Sequence, residues 1–175
     1  IGDRFAHNAA LVQDGACFEL LPAPGGDGTS FLGSWVEQGL NDWIWPLDAE
    51  IGADGHLWLF VAEVHNPEAT GAASGAFPLG VWRARYRLPD LQLVDFQPAA
   101  DPGRALFGYS IVSDEDWTYL YGHCYTQFAA ALQAIGFDPS CSPYAYLARV
   151  PKGQLDDEPE YWDGEGWTED RSARE

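Results

Sequence analysis

Asp48 and Glu50 stand two residues apart in the stretch DWIWPLDAEIG, residues 42–52. Residues i and i+2 of an extended strand share a face, so this spacing sets two carboxylates side by side. A charge inside an apolar, tryptophan-flanked strand needs a partner or a purpose, because desolvating it is costly. Asp3, in the opening IGDRF, and Glu63, closing HLWLFVAE, add acids at two strand ends. Paired carboxylates beside flat aromatic rings suit the cleavage of glycosidic bonds. One acid protonates the leaving oxygen, while another attacks as nucleophile or activates water. Trp and Tyr rings offer apolar faces to sugar C–H groups, and Asn and His bond hydroxyls. Asp3, Asp48 and Glu63 are therefore the candidate catalytic acids. Asn8, Trp43, Trp45, His65, His123 and Tyr125 are the candidate substrate-binding residues. Blander roles compete with each. An Asp at a strand end often bonds only turn amides, Glu63 fits a solvated rim charge, and Trp43 and Trp45 fit plain packing. A lectin-like, non-catalytic sugar binder would carry the same aromatics and some of the same acids.

Other chemistries find no support in the motifs. No phosphate-binding G-x-x-x-x-G-K and no H-E-x-x-H occurs. No serine has the surroundings of a nucleophile elbow. His7, His56, His65 and His123 are scattered, and Cys17, Cys124 and Cys141 lack the spacing of a zinc site. Cys124 and Cys141 fit either a disulfide in an oxidising compartment or two free thiols. Asp156 to Asp170 holds eight acids and no base. It reads as a solvated outer strand with its loops, with a structural calcium site as the alternative, and no other cofactor is expected. The net charge of −18 opposes binding to nucleic acid or to anionic membranes. The longest apolar stretch, Leu57 to Ala62, is too short to span a bilayer.

The elements that must position these residues are short β-prone runs separated by turns. With 46% hydrophobic residues over 175 positions, the chain has material for a packed core. With 19 Gly and 12 Pro it favours turns over long helices. Four strands are expected over residues 42–99, with a long loop between the second and third, and a similar set over 105–170. The sets align without gaps through their first halves: Asp54 with Asp114, Ala62 with Gly122, Glu63 with His123, each 60 positions apart. The third strands align Trp82–Arg85 with Tyr146–Arg149, 64 apart. Sixty positions before Glu63 stands Asp3, which makes residues 1–26 half of another unit. A short helix is expected within 30–40. Four-stranded units repeated at this period are the signature of a β-propeller. The expected fold is all-β, a partial five-bladed β-propeller of about two and a half four-stranded antiparallel blades. Such a set cannot close, so the chain reads as a fragment of a longer protein. An antiparallel sandwich of about ten strands is the competing architecture.

Several motifs carry a resemblance. Gly2-Asp3 followed by Asn8 resembles the opening of a bacterial five-bladed propeller family, formerly of unknown function, that includes endo-D-arabinanases. WIWPLDAEIGADGHLWLF is similar to one of its strand pairs, and YLYG, YLARVP and YWDGEGW resemble its later blade signatures. The resemblance spans nearly the whole chain. It implies a glycoside hydrolase acting on a furanose polysaccharide such as arabinan, with Asp3 and Asp48 as leading catalytic acids. It also implies a secreted or cell-envelope protein, monomeric at full length, whose partner is a polysaccharide or oligosaccharide. Arg4 and Leu47 depart from the family pattern, which bears on the identity of the substrate.

Overall fold

The computed structural model describes residues 10–21, 42–65, 77–99, 106–123 and 145–170. Asp3, Asn8, Tyr125, Cys124, Cys141 and the helix expected within 30–40 lie outside these residues. The described elements are strands: β1 (Ala10–Asp14), β2 (Cys17–Leu21), β3 (Asp42–Ile51), β4 (Leu57–His65), β5 (Phe77–Arg87), β6 (Gln92–Pro98), β7 (Leu106–Ser113), β8 (Trp117–His123), β9 (Ala145–Pro151), β10 (Glu160–Trp162) and β11 (Trp167–Thr168). β1 and β2 form a hairpin through Gly15. β3-β4-β5-β6 form one antiparallel sheet and β7-β8-β9-β10-β11 a second, each in chain order, and neither is closed. The expected outer strand over residues 160–169 is instead a hairpin, β10–β11. Asp163 Oδ1 accepts the amides of Glu165 and Gly166 there and turns the chain.

β4, LWLFVAEVH, is apolar on both faces, which suits a strand covered on both sides. Trp58 and Phe60 point to one face, and Leu57, Leu59 and Val61 to the other. The first of these faces packs against the second sheet. Trp58, Phe60 and Val81 meet Leu120, Ala148, Val150, Leu155 and Tyr161 there in the main core.

β3 and β7 are each the edge strand of their sheet, and they lie against one another. They run in the same direction, because Asp48 reaches Ile111 and Glu50 reaches Ser113. Two meanders with their first strands adjacent and parallel have the same hand. They therefore stack front to back, the front of the first sheet on the back of the second. Equivalent positions in the two sheets must then point the same way.

That condition corrects the gapless alignment. Five residues separate the pair Ile51↔Leu57, but only four separate Ser113↔Thr118. Trp58, flanked by Glu50 and Arg85, corresponds to Tyr119, flanked by Val112 and Arg149. β4 thus matches β8 at an offset of 61 rather than 60. A slip of one residue reverses the face of every side chain. His123 is the counterpart of Ala62, not of Glu63, and the two candidate site residues point to opposite faces. Asp54 and Asp114 remain equivalent within the turns, and the offset of 64 between β5 and β9 holds.

Candidate functional site

The centre of the site is a bulge. β3 gains an extra residue between Pro46 and Ala49 opposite β4. Proline is tolerated there because β3 is an edge strand and the ladder is already interrupted. The bulge aims Asp48 at β7, which has its own irregularity between Phe107 and Ser110. Asp48 Oδ2 accepts the amide of Ile111 at 2.8 Å, and Oδ1 accepts the amide of Ala49 at 2.8 Å. Glu50, on the same face, accepts the hydroxyl of Ser113 on Oε1 at 2.5 Å and that of Thr118 on Oε2 at 3.2 Å. Thr118, fully buried, accepts the amide of Gly153 at 3.0 Å. The Gly153 carbonyl in turn accepts the amide of Ala53 at 2.8 Å. The partner demanded by the charge on β3 is thus the neighbouring sheet. Asp48 and Glu50 staple the two inner strands together.

Glu63 lies on the other face of the first sheet, opposite Ile44 in the ladder. It is half-buried, and Oε2 accepts the indole N–H of Trp82 at 2.8 Å. Trp82 is itself stacked on Phe96, ring centroids 5.1 Å apart. Trp45 packs with Leu47 against Ala62 and Val64. His123 is exposed at the end of β8, its ring 6.1 Å from that of Tyr109. Trp43 pairs with Val64 and His65 with Asp42 along the β3–β4 ladder. The fold therefore brings Asp48 and Glu50 together. It places Glu63 behind them and His123 on the front of the second sheet.

Two repeated clusters match no motif, and the only trace of them in the sequence is the correspondence of Asp54 with Asp114. Asp54 Oδ1 accepts the His56 amide at 3.0 Å and the Trp58 indole N–H at 3.2 Å. His56 Nδ1 lies 3.1 Å from Asp54 Oδ2, off the line of a hydrogen bond, and Arg85 lies at 3.6 Å. Burial alone would raise the pKa of Asp54. The His56 amide, the Trp58 indole and the charges of His56 and Arg85 outweigh it and hold the carboxyl below its ordinary 3.8. Asp114 is likewise held below 3.8 by the amides of Trp117 and Asp116 and the Tyr119 hydroxyl. Arg85 lies over Trp58 at 5.3 Å. Its counterpart Arg149 is sandwiched between Trp117 at 3.7 Å and Trp167 at 4.1 Å, and is gripped by Glu160. Each sheet thus repeats an aspartate, an aromatic ring and an arginine on its front face.

Among the described residues, no group of three or more His, Cys, Asp or Glu side chains is arranged to hold a metal ion. No described helix is long and apolar enough to cross a membrane. Neither the curated proteins nor the solved structures contain a match to this chain. One family model, described as a domain of unknown function (DUF5005), matches residues 2–175, and the chain belongs to that family.

Proposed function

We propose that the two sheets are successive blades of a β-propeller that hydrolyses a furanose polysaccharide, such as arabinan, by carboxylate acid–base chemistry. The supporting observation for the fold is the front-to-back stacking with parallel first strands. For the chemistry it is Asp48, an acid on the innermost strand whose orientation is set by two backbone amides 2.8 Å away. A catalytic carboxylate must be held this firmly to act on a fixed sugar. Asp3 is the second acid in this reading, and Glu63 the alternative. Trp45 and His123, with Asn8, Trp43, His65 and Tyr125, would hold sugar.

One observation favours the second reading, a non-catalytic carbohydrate-binding propeller. Both oxygens of Asp48 and both of Glu50 are already engaged in joining the sheets. Glu63 differs, since only Oε2 is bonded among the described residues. The test is incubation of the native polypeptide with D-arabinan, L-arabinan and galactan, followed by chromatography of the products. Oligosaccharide release from one polymer supports the hydrolase. Retention on an arabinan affinity column without release supports the lectin-like reading.

A further inference from the structure

A cavity of about 20 Å³ lies between the two sheets, walled by Phe60, Val81, Leu120 and Val150. Its polar lining is Arg83, on β5, and Asp157, in the link between β9 and β10. Arg83 pairs with Phe60 in the ladder and so shares the face that meets the second sheet. It is only 8% exposed. Nη1 donates to the Leu155 carbonyl, whereas Nε is buried with no hydrogen-bond partner. Among the described residues the guanidinium forms no ion pair. Burial pushes its pKa down, and the charges of Asp156, Glu158 and Asp95 offset this only in part. The repeat does not call for a charge at this position, since the counterpart of Arg83 in the second sheet is Leu147. A buried guanidinium donor left without an acceptor is costly, so Arg83 Nε marks a place where an acceptor belongs.

The chemistry of the lining selects the occupant. An anion would satisfy Nε but would stand beside Asp157, in the field of Asp156, Glu158 and Asp95. A cation would face Arg83, and an apolar molecule would leave Nε unpaired. A hydroxyl group answers both residues, because it accepts on one side and donates on the other. A water needs a cavity of about 10–15 Å³, so about 20 Å³ holds one water and is too small for a sugar ring. We propose that this cavity is a binding site for a single ordered water, which accepts from Arg83 Nε and donates to the Asp157 carboxylate. The bridge makes Arg83 and Asp157 a water-mediated ion pair. It ties the β9–β10 link to the first sheet beside the direct bond from Arg83 to Leu155. The sheets are then joined by polar contacts at their outer strands, as Asp48 and Glu50 join them at the inner ones.

This site is independent of the hydrolase reading. Its test is a crystal structure of the native protein, with parallel crystals soaked in bromide and pressurised with xenon. One peak of solvent density is expected about 3 Å from Arg83 Nε, with no anomalous signal from bromide or xenon in the cavity. A bromide peak on Arg83 would make this an anion site and overturn the proposal. Xenon in the cavity, or no density at all, would show a dry cavity and overturn it equally. In solution, oxygen-17 relaxation dispersion counts long-lived internal waters. Arg83→Leu, which installs the residue found at the equivalent position of the second sheet, is expected to lose one such water. Asp157→Asn, which keeps an acceptor, is expected to retain it. An unchanged count in the folded Arg83→Leu variant would contradict the assignment.

Discussion

Asp54 and Asp114 do one task twice, each closing a turn and tethering the aromatic ring that follows it. Asp54 accepts from Trp58 and Asp114 from Tyr119. Both carboxyls are held below their ordinary 3.8 in the folded chain. The sign follows from linkage. A group whose pKa is depressed by folding stabilises the fold above 3.8 and loses that contribution as pH falls through the folded value. Urea midpoints are therefore expected to drop as pH is lowered from about 5 to about 3. Asp54→Asn should make that drop shallower. An unchanged slope in the variant would show that Asp54 takes no part in acid unfolding. At the same scale, the acids on β3 belong to the inter-sheet contact as well as to the candidate site. A loss of activity on substitution must accordingly be read beside a stability measurement.

At the scale of elements, the hairpins and the link after β9 set the geometry. Gly153 has φ +69°, and a Cβ there would stand 2.6 Å from the amide nitrogen of Ala53. Gly153→Ala is expected to cost about 1–3 kcal/mol through overpacking, beyond the strain of its backbone. Denaturant unfolding would read this as a lower midpoint, and an unchanged midpoint would mean that the inter-sheet contact yields freely. The strands themselves were legible in the sequence. Alternating aromatic and β-branched runs such as WTYLYGH, punctuated by Asp-Gly turns, carry their own period. The register was less legible. After the equivalent aspartates, Tyr119 follows Asp114 by five residues where Trp58 follows Asp54 by four, and no local pattern marks the extra residue. The gapless match therefore put His123 in the place of Glu63, although its counterpart is Ala62, and so inverted its face. The partners of Asp48 and Glu50 were illegible for a different reason. They lie 63 to 68 residues away, and one is a backbone amide that bears no side-chain signature. The sequence raised the need for a partner, and only the stacking of the sheets supplied it.

At the scale of the molecule, a net charge of −18 over 175 residues opposes compaction. Raising ionic strength from about 0.01 M to about 0.15 M shortens the screening length from about 30 Å to about 8 Å. The melting temperature is expected to rise over that range, and a fall would mean that attractive ion pairs such as Arg149–Glu160 outweigh the repulsion. The two sheets share one core and one line of hydrogen bonds along their inner strands, and the candidate acid Asp48 sits on that line. The assignment of Asp48 to catalysis can be separated from its part in packing by one paired measurement. Asp48→Asn is assayed for oligosaccharide release from D-arabinan and, in the same preparation, for thermal unfolding. Release is expected to be abolished while a cooperative transition persists at a modestly lower temperature. Undiminished release by the folded variant would contradict a catalytic Asp48 and leave it a staple between sheets.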